Sequence, residues 1–521
     1  MNPLNERFLN PLYRFKFFAC VLFCVMAQIS VGYGQYYKRF SSVEDALATQ
    51  AKSSRPIETM VLYGDNVINL SPRISELKDL RGLIIKCKNL KTLPKNFGEL
   101  NLYSLRIKSD SLIALPKSIS KLKNLYRLEL NANSLTRLPK GIGKLQKLQR
   151  LKIGSNSLRA LPKSIGKLQN LKKLILRVDA LKKLPKSIGK LQNLKKLILR
   201  ADALKKLPKS IGKLQNLKKL ILRADALKKL PKSIGKLQNL KKLILRADAL
   251  KKLPKSIGRL PNLEQLVLQV NRLTTLPKSL SQLPKLKKMT LIAHHLRTLP
   301  KSIGNFPELE MLELEVNNLV ALTPGIGQFK QLKYLKIVNG QFATLPQSIG
   351  DLQNLEMLFL LNVPLTTLPK GIGNLKKLRR LQILKSKLTT LPEAIDNLQN
   401  LVLLNLSYNQ LTRLPESIGN LQNLGNLNLS HNQLTQFPES LSKLSGLGTL
   451  NANHNQLTSL PKSIGALKGL VYLQLRYNQL KTLPKSFYKL DLINLYIAHN
   501  KFSQEALKAI KEFLPPGATD Y

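Results

Sequence analysis

The residues best equipped for chemistry in this chain recur at a fixed interval. His431 and His454 stand 23 positions apart (454 − 431 = 23). If that interval sets them on neighbouring parallel strands, about 5 Å apart at the backbone, the two imidazoles come near enough to share a metal. No third ligand of the required type is adjacent, so neither a metal nor a cofactor is expected. Glu308, Glu310, Glu313 and Glu315 form a second cluster, bordered by Lys287, Lys288, Lys333 and Lys336. Four carboxylates could supply a general acid and base, but flanking cations hold such acids ionised, which favours cross-strand charge pairing over catalysis.

Two further groups are better suited to binding. Asn405, Asn428, Asn451 and Gln474, followed by Tyr496, make an amide row, and Tyr408, His431, His454, Tyr477 and His499 run beside it. Uncharged amides and aromatic rings suit specific hydrogen bonding to a protein or glycan rather than counterion release. Upstream, residues 194–216 read LKKLILRADALKKLPKSIGKLQN and residues 217–239 repeat them without change. Residues 171–193 differ only at Val178, and residues 240–262 only at Arg259 and Pro261. The four units bring Lys173, Lys196, Lys219 and Lys242 into one column and Arg177, Arg200, Arg223 and Arg246 into another, with Ile175 and its counterparts between. Like charges about 5 Å apart repel by roughly 0.8 kcal/mol even in water, a cost that an anionic ligand would relieve. Near-identity is also what recent tandem duplication leaves behind, so inherited, solvated charge stands beside a working polyanion site as a reading of this block.

The elements that must position these rows follow from the repeat. In LVLLNLSYNQLTRLPESIGNLQN, residues 401–423, Leu404 and Leu406 alternate with Leu403, Asn405 and Ser407, which predicts a short strand with the latter three facing solvent. Pro415 suits the first position of a helical turn, and Ile418 and Leu421 fall on one side of that turn. No unit can bury its apolar residues alone, so units must stack, strand on parallel strand. Unit starts run from Ile57 through Leu80, Leu102 and Leu125 to Leu470, with a last partial unit at Leu492. That register makes about twenty units across residues 57–502.

The pattern LxxLxLxxNxLxxLPxxIGxLxx resembles the leucine-rich repeat family, in a variant similar to bacterial repeat proteins and to the Ras-linked intracellular class. The resemblance implies an α/β solenoid, a horseshoe with a concave parallel β-sheet and short helical turns on the convex side, and protein binding on the concave face. The ninth position of each unit is Asn nine times, among them Asn133, Asn156, Asn271, Asn317, Asn409 and Asn432, and a buried amide there would both donate to and accept from the turn. Asp179, Asp202, Asp225 and Asp248 replace it in the copied units, which predicts one less satisfied carbonyl in each turn. Lys88, Gly340, Val363 and Ser386 depart further and predict local irregularity.

Both ends carry lids. SVEDALATQA, beginning at Ser42 with Asp45 three residues on, resembles a capped helix within an N-terminal cap over residues 35–56. SQEALKAIKEFL sets Leu507, Ile510 and Leu514 on one face before Pro515 and Pro516, a C-terminal helical cap over residues 503–521. Residues 1–34 have the form of a signal peptide: Arg7, Arg14 and Lys16 precede the short apolar run FFACVLFCVMA, and small residues follow. Export then follows, to the extracellular space, cell surface or periplasm, with no transmembrane segment in the mature chain. Cys20 and Cys24 lie in that run, so only Cys87 remains afterwards and packing alone must stabilise the fold.

The chain has 521 residues and a formal charge of +56, which favours acidic partners. No P-loop, GxSxG, HExxH or CxxC motif occurs, so the chain is read as non-catalytic. The leading expectation is protein recognition by an exported solenoid. The alternatives are binding of an anionic glycan or other polyanion through residues 171–262, without sequence-specific nucleic-acid reading, and an intracellular signalling scaffold.

Overall fold

A computed structural model describes residues 37–513 and 519–520. The signal-peptide reading of residues 1–34 lies outside the described residues, as do Leu514, Pro515 and Pro516. Among the described residues 22 strands form one sheet, each paired in parallel with the strand before and after it. Register follows the repeat throughout. Lys173–Arg177 lies residue for residue against Lys196–Arg200, and that strand against Lys219–Arg223.

Each unit turns the same three corners for the same reasons. Leu401, Leu404, Leu406 and Leu411, with Ile418 and Leu421, are fully buried, and the other units fill the same slots mostly with Leu, Ile, Val or Phe, with Met60, Met289 and Ala452 as exceptions. The core is therefore a continuous apolar column under the sheet, stabilised at about 25 cal/mol per Å² of apolar surface removed from water. The return arm is a single 3-10 turn, Glu416–Asn420 in this unit. Pro415 precedes that turn in extended conformation (φ −69°, ψ 153°) rather than opening it. Its missing N–H thus costs nothing at the cap, and its fixed φ sets the corner.

Successive turns touch closely. A Cβ placed on Gly212 would come within 2.2 Å of the Ser233 carbonyl oxygen. Replacing Gly212 by Ala is therefore expected to destabilise the stack by about 1–3 kcal/mol through overpacking. Urea denaturation followed by circular dichroism measures this, and an unchanged midpoint would refute it. The amides closing each turn tie units together: Asn193 Nδ2 donates to the Gln169 carbonyl at 2.9 Å, and Asn216 Nδ2 to that of Gln192 at 2.9 Å.

The loop leaving the strand takes two forms. From Ala132 to Val316 the eighth residue of each unit is small or β-branched and buried, as at Ser155, Val178, Ala201, Ala224, Ala247 and Ala293. The ninth residue then faces outward. From Asn339 onward the eighth residue instead adopts left-handed backbone, at φ of 52–61°, in eight successive units. That twist turns the eighth side chain outward and the ninth inward, so Asn409, Asn432, Asn455 and Asn478 are buried. Strands stay five residues long through the first three of these units, to Arg380–Leu384, and shorten to three from Leu403–Asn405 onward. Ser407, expected to face solvent, is buried by the same twist.

The ninth-position expectation therefore holds for one group of units and fails for the other. Asn432 Nδ2 donates to the carbonyls of Leu406 at 3.0 Å and Leu429 at 2.8 Å, while its Oδ1 accepts from Leu411 N–H at 3.0 Å. Asn133, Asn156 and Asn317 are exposed, and Asn271 is half-buried. Asp179, Asp202, Asp225 and Asp248 do not enter the buried slot either, because Val178 or Ala already fills it. The irregularity expected at Gly340 coincides with the switch of loop form; Lys88 follows buried Cys87 in the ordinary early geometry. At Ser386 the shorter side chain leaves a buried hydroxyl without a partner.

At the ends, Ser42 caps the helix Val43–Ala51 by accepting from Asp45 N–H at 3.0 Å. Strand Lys38–Phe40 pairs with Thr59–Tyr63 and extends the sheet beyond the first repeat. At the other end lies the helix Gln504–Phe513, which buries Ile510 and packs Leu507 on the core. A short strand, Thr519–Asp520, pairs with Leu495 and Tyr496. No helix among the described residues is long and apolar enough to cross a membrane.

Candidate functional site

Strand register converts the repeat columns into rows on the inner sheet face. Lys173, Lys196, Lys219 and Lys242 are consecutive Cα partners, as are Arg177, Arg200, Arg223 and Arg246. Burial, followed by the charges of neighbouring cations, lowers the ammonium pKa values of Lys173, Lys196 and Lys242. Mutual repulsion along the row is thus a real electrostatic cost. The arginine row is partly compensated: Arg200 Nε lies 3.6 Å from Asp179 Oδ1. Burial, followed by the charges of Asp202 and Asp248, holds the Asp225 carboxyl above its ordinary range against the weaker opposing pull of Arg223 and Arg200. A depression of about 450 Å³ opens where the arginine row begins, lined by Lys108, Asn131, Lys152, Arg177, Asp179 and Arg200 among others.

The glutamate cluster is held in charge pairing and hydrogen bonds. Glu308 lies 3.9 Å from Lys287, Glu313 accepts from the Thr290 hydroxyl at 3.1 Å and faces Lys336 across the strands, and Glu315 lies 3.7 Å from His294. Glu308, Glu313 and Glu315 therefore answer different neighbours instead of converging on one reacting atom.

In the C-terminal units the amide and aromatic rows come together. Asn405 Oδ1 accepts from Ser407 N–H, Asn428 Oδ1 from Ser430 N–H, and Asn451 Oδ1 from Asn453 N–H, each at 3.0 Å. These contacts fix the amides and leave their Nδ2 groups without a hydrogen bond among the described residues. Next to them Tyr408, His431, His454, Tyr477 and His499 stack face to face, with ring centroids 4.1–4.2 Å apart and planes within 12°. The left-handed residue in each unit builds this ladder, since the twist that buries the following Asn projects the ring outward. Neighbouring rings cover one another's faces, so the ladder offers ring edges, hydroxyls and ring nitrogens to a partner. Arg476 lies over the Tyr496 ring, 4.7 Å from its centroid, and Lys385 lies 5.8 Å from that of Tyr408.

His431 and His454 stack with their ring planes within 12°. Parallel imidazoles direct their in-plane lone pairs side by side, whereas a shared metal needs them to converge. Among the described residues no group of three or more His, Cys, Asp or Glu gathers as a metal site.

Burial, then repulsion from a charged His454, holds the His431 imidazole below its ordinary 6.5. The unfolded chain therefore binds more protons than the folded one in this range, and stability rises with pH. The contribution is complete above about 6.5 and is lost as pH falls toward the lowered folded value. Replacing His454 by Gln is expected to raise the His431 pKa, and an unmoved NMR titration curve of His431 would refute the coupling.

Overlapping stretches from 63–179 to 186–268, and again 322–406, match the model described as a leucine-rich repeat region. Residues 400–421 and 423–444 match the single leucine-rich repeat. The chain belongs to the leucine-rich repeat family. Among solved members, a leucine-rich repeat protein of Leptospira interrogans is 30% identical, with 93% of this chain and 100% of that one covered at a TM-score of 0.51. The leucine-rich repeat ectodomain of the Arabidopsis thaliana membrane receptor kinase GASSHO1/SCHENGEN3, in complex with CASPARIAN STRIP INTEGRITY FACTOR 2, is 26% identical. That match covers 86% of this chain and 59% of the other at a TM-score of 0.57. A chain of the Drosophila Toll–Spatzle complex is 19% identical, covering 88% and 65% at a TM-score of 0.69, and supports the fold alone. No curated protein sequence matches.

Proposed function

We propose that this leucine-rich repeat chain is an exported, non-catalytic recognition protein that binds protein partners through its concave sheet. The observation that carries the reading is the row of fixed amides, Asn405, Asn428 and Asn451, whose Nδ2 donors are unused beside an outward-facing ladder of rings. A rigid parallel sheet holds these donors in place before a partner arrives, so little side-chain entropy is lost on contact. Tyr408, Tyr477 and Tyr496 add aromatic area of the sort enriched in binding hot spots. The lysine and arginine rows from Lys173 to Arg246 would steer acidic partners toward the same face. The Arabidopsis ectodomain, which is seen in a complex, supports both the binding role and the exported location. The signal-like N-terminus supports export independently.

The test removes the donors and keeps an acceptor at each position; because each aspartate also adds a negative charge, affinities are compared at high salt, where that charge is screened. Asp at positions 405, 428 and 451 retains an acceptor for Ser407, Ser430 and Asn453 while abolishing Nδ2–H. Peptides selected by the wild-type chain from a displayed random library are expected to bind the triple variant Asn405→Asp, Asn428→Asp, Asn451→Asp at least about tenfold more weakly, the loss of one or more hydrogen bonds. Equal affinity would remove these residues from the site. Amino-terminal sequencing of the secreted chain tests export, and an uncleaved cytosolic product would overturn it.

A further inference from the structure

We propose that the convex wall between Lys117 and Arg259 is a binding track for a linear anionic polysaccharide. This surface is separate from the concave face discussed above, and neither reading depends on the other. Each 3-10 turn along this stretch begins with a lysine and ends with a lysine or arginine, as in Lys186–Lys190 and Lys209–Lys213. The starting lysine recurs in nine consecutive units from Lys117 to Lys301, and the closing cation in seven, from Lys121 to Arg259. All of these side chains are exposed.

What separates this wall from the concave rows is the absence of counter-charge. Seven acids lie between residues 102 and 304, and all of them sit on a strand, beside its start, or in the loop leaving it. None occupies a turn of the wall. Among the described residues no ion pair uses a lysine of these two rows, whereas Arg200 on the concave side has Asp179. The positive field of the copied units is therefore least compensated on the outside. In the next units the closing position becomes Gln282 and then Gln328, and the starting position turns to Glu393, Glu416 and Glu439 farther along, so the paired cations end at Arg259.

The shape selects among polyanions. Between two turns lies a depression of about 710 Å³ in which Lys186, Lys190, Lys209 and Lys213 surround Leu207 and Pro208. An apolar surface ringed by ammonium groups matches a sugar ring, which presents C–H bonds on its faces and anionic substituents at its edge. The two rows of one turn are four residues apart, about 8 Å at the 3-10 rise, the width of one extended strand. The turns hold no aromatic side chain on which the bases of a single-stranded nucleic acid could stack. An outward-curving wall meets a flat bilayer over only a few units.

Heparin, used as the probe with the full chain, tests the assignment. Binding of the wild type is expected to weaken steeply with salt, as counterion release requires. The variant Lys186→Gln, Lys190→Gln, Lys209→Gln, Lys213→Gln is expected to bind at least about tenfold more weakly at low salt and with a flatter salt slope. The control variant Lys330→Gln, Lys387→Gln, Lys481→Gln, Lys485→Gln removes the same charge from exposed positions outside the track and is expected to stay within about threefold of wild type, the loss that the lower net charge alone would give. Arginine at the four convex positions should restore binding, which separates lost charge from lost fold. Equal losses in both glutamine variants, no binding of heparin, or tighter binding to a DNA duplex or to phosphatidylserine vesicles would each overturn the proposal.

Discussion

Asn432→Ala is expected to lower unfolding free energy by about 2–4 kcal/mol, whereas Asn133→Ala, in the same column of the repeat, is expected to change it by less than about 0.5 kcal/mol. The contrast comes from the eighth residue of each unit. In the later unit His431 is left-handed and Asn432 points inward, where three backbone groups depend on it: Leu406 and Leu429 carbonyls and Leu411 N–H. Alanine would strand the Leu411 N–H in a place that water does not reach and remove one of two amide donors from each carbonyl, since Asn409 and Asn455 also donate to Leu406 and Leu429. In the earlier unit buried Ala132 fills the slot, and Asn133 meets only the side chain of Asp110 at 2.6 Å on the surface. Chemical denaturation of the two variants side by side measures the difference. Equal effects would mean that the two loop forms do not exist as described.

A second large effect is expected where the two loop forms meet. Phe306 and Phe329 replace the usual leucine in adjacent turns, are fully buried, and stack with centroids 6.1 Å apart and planes within 12°. They lie just before Asn339, the first left-handed eighth residue. Phe306→Ala should cost about 3–5 kcal/mol in lost burial and residual cavity. Because each unit of a solenoid touches only its neighbours, such a loss weakens one interface instead of the whole body. Urea denaturation is therefore expected to divide into two transitions, and hydrogen exchange should assign the earlier to one side of residue 306. A single transition with unchanged midpoint would contradict this.

Much of the architecture was legible because one physical requirement, burial of leucines on one side of each unit, repeats at every turn. Leu404 and Leu406 announce a strand, and the register that places Lys173 beside Lys196 follows from the interval alone. The ninth position misled because its neighbour decides its direction. Ala, Val or Ser at the eighth position can be buried, as Ala201 is, whereas Tyr408 or His431 must be turned out, and the backbone twists to allow it. That signal was present in the sequence as the size of one residue. Stacking of the five rings could not be read without knowing the twist, since it is the left-handed φ that brings their planes parallel. The strand Thr519–Asp520 gave no warning either, because PGATDY carries no alternation of apolar and polar residues.

The copied units carry one further consequence. Since Lys196–Arg200 meets identical strands on both sides, with identical partners in identical register, the molecule has no way to distinguish an array of four such units from one of three or five. Excision or addition of a whole copy leaves every remaining interface chemically unaltered and both lids seated as before. Length, and with it the reach of the charged outer wall, is thus a quantity that heredity can adjust in fixed increments without asking the protein to solve a new folding problem.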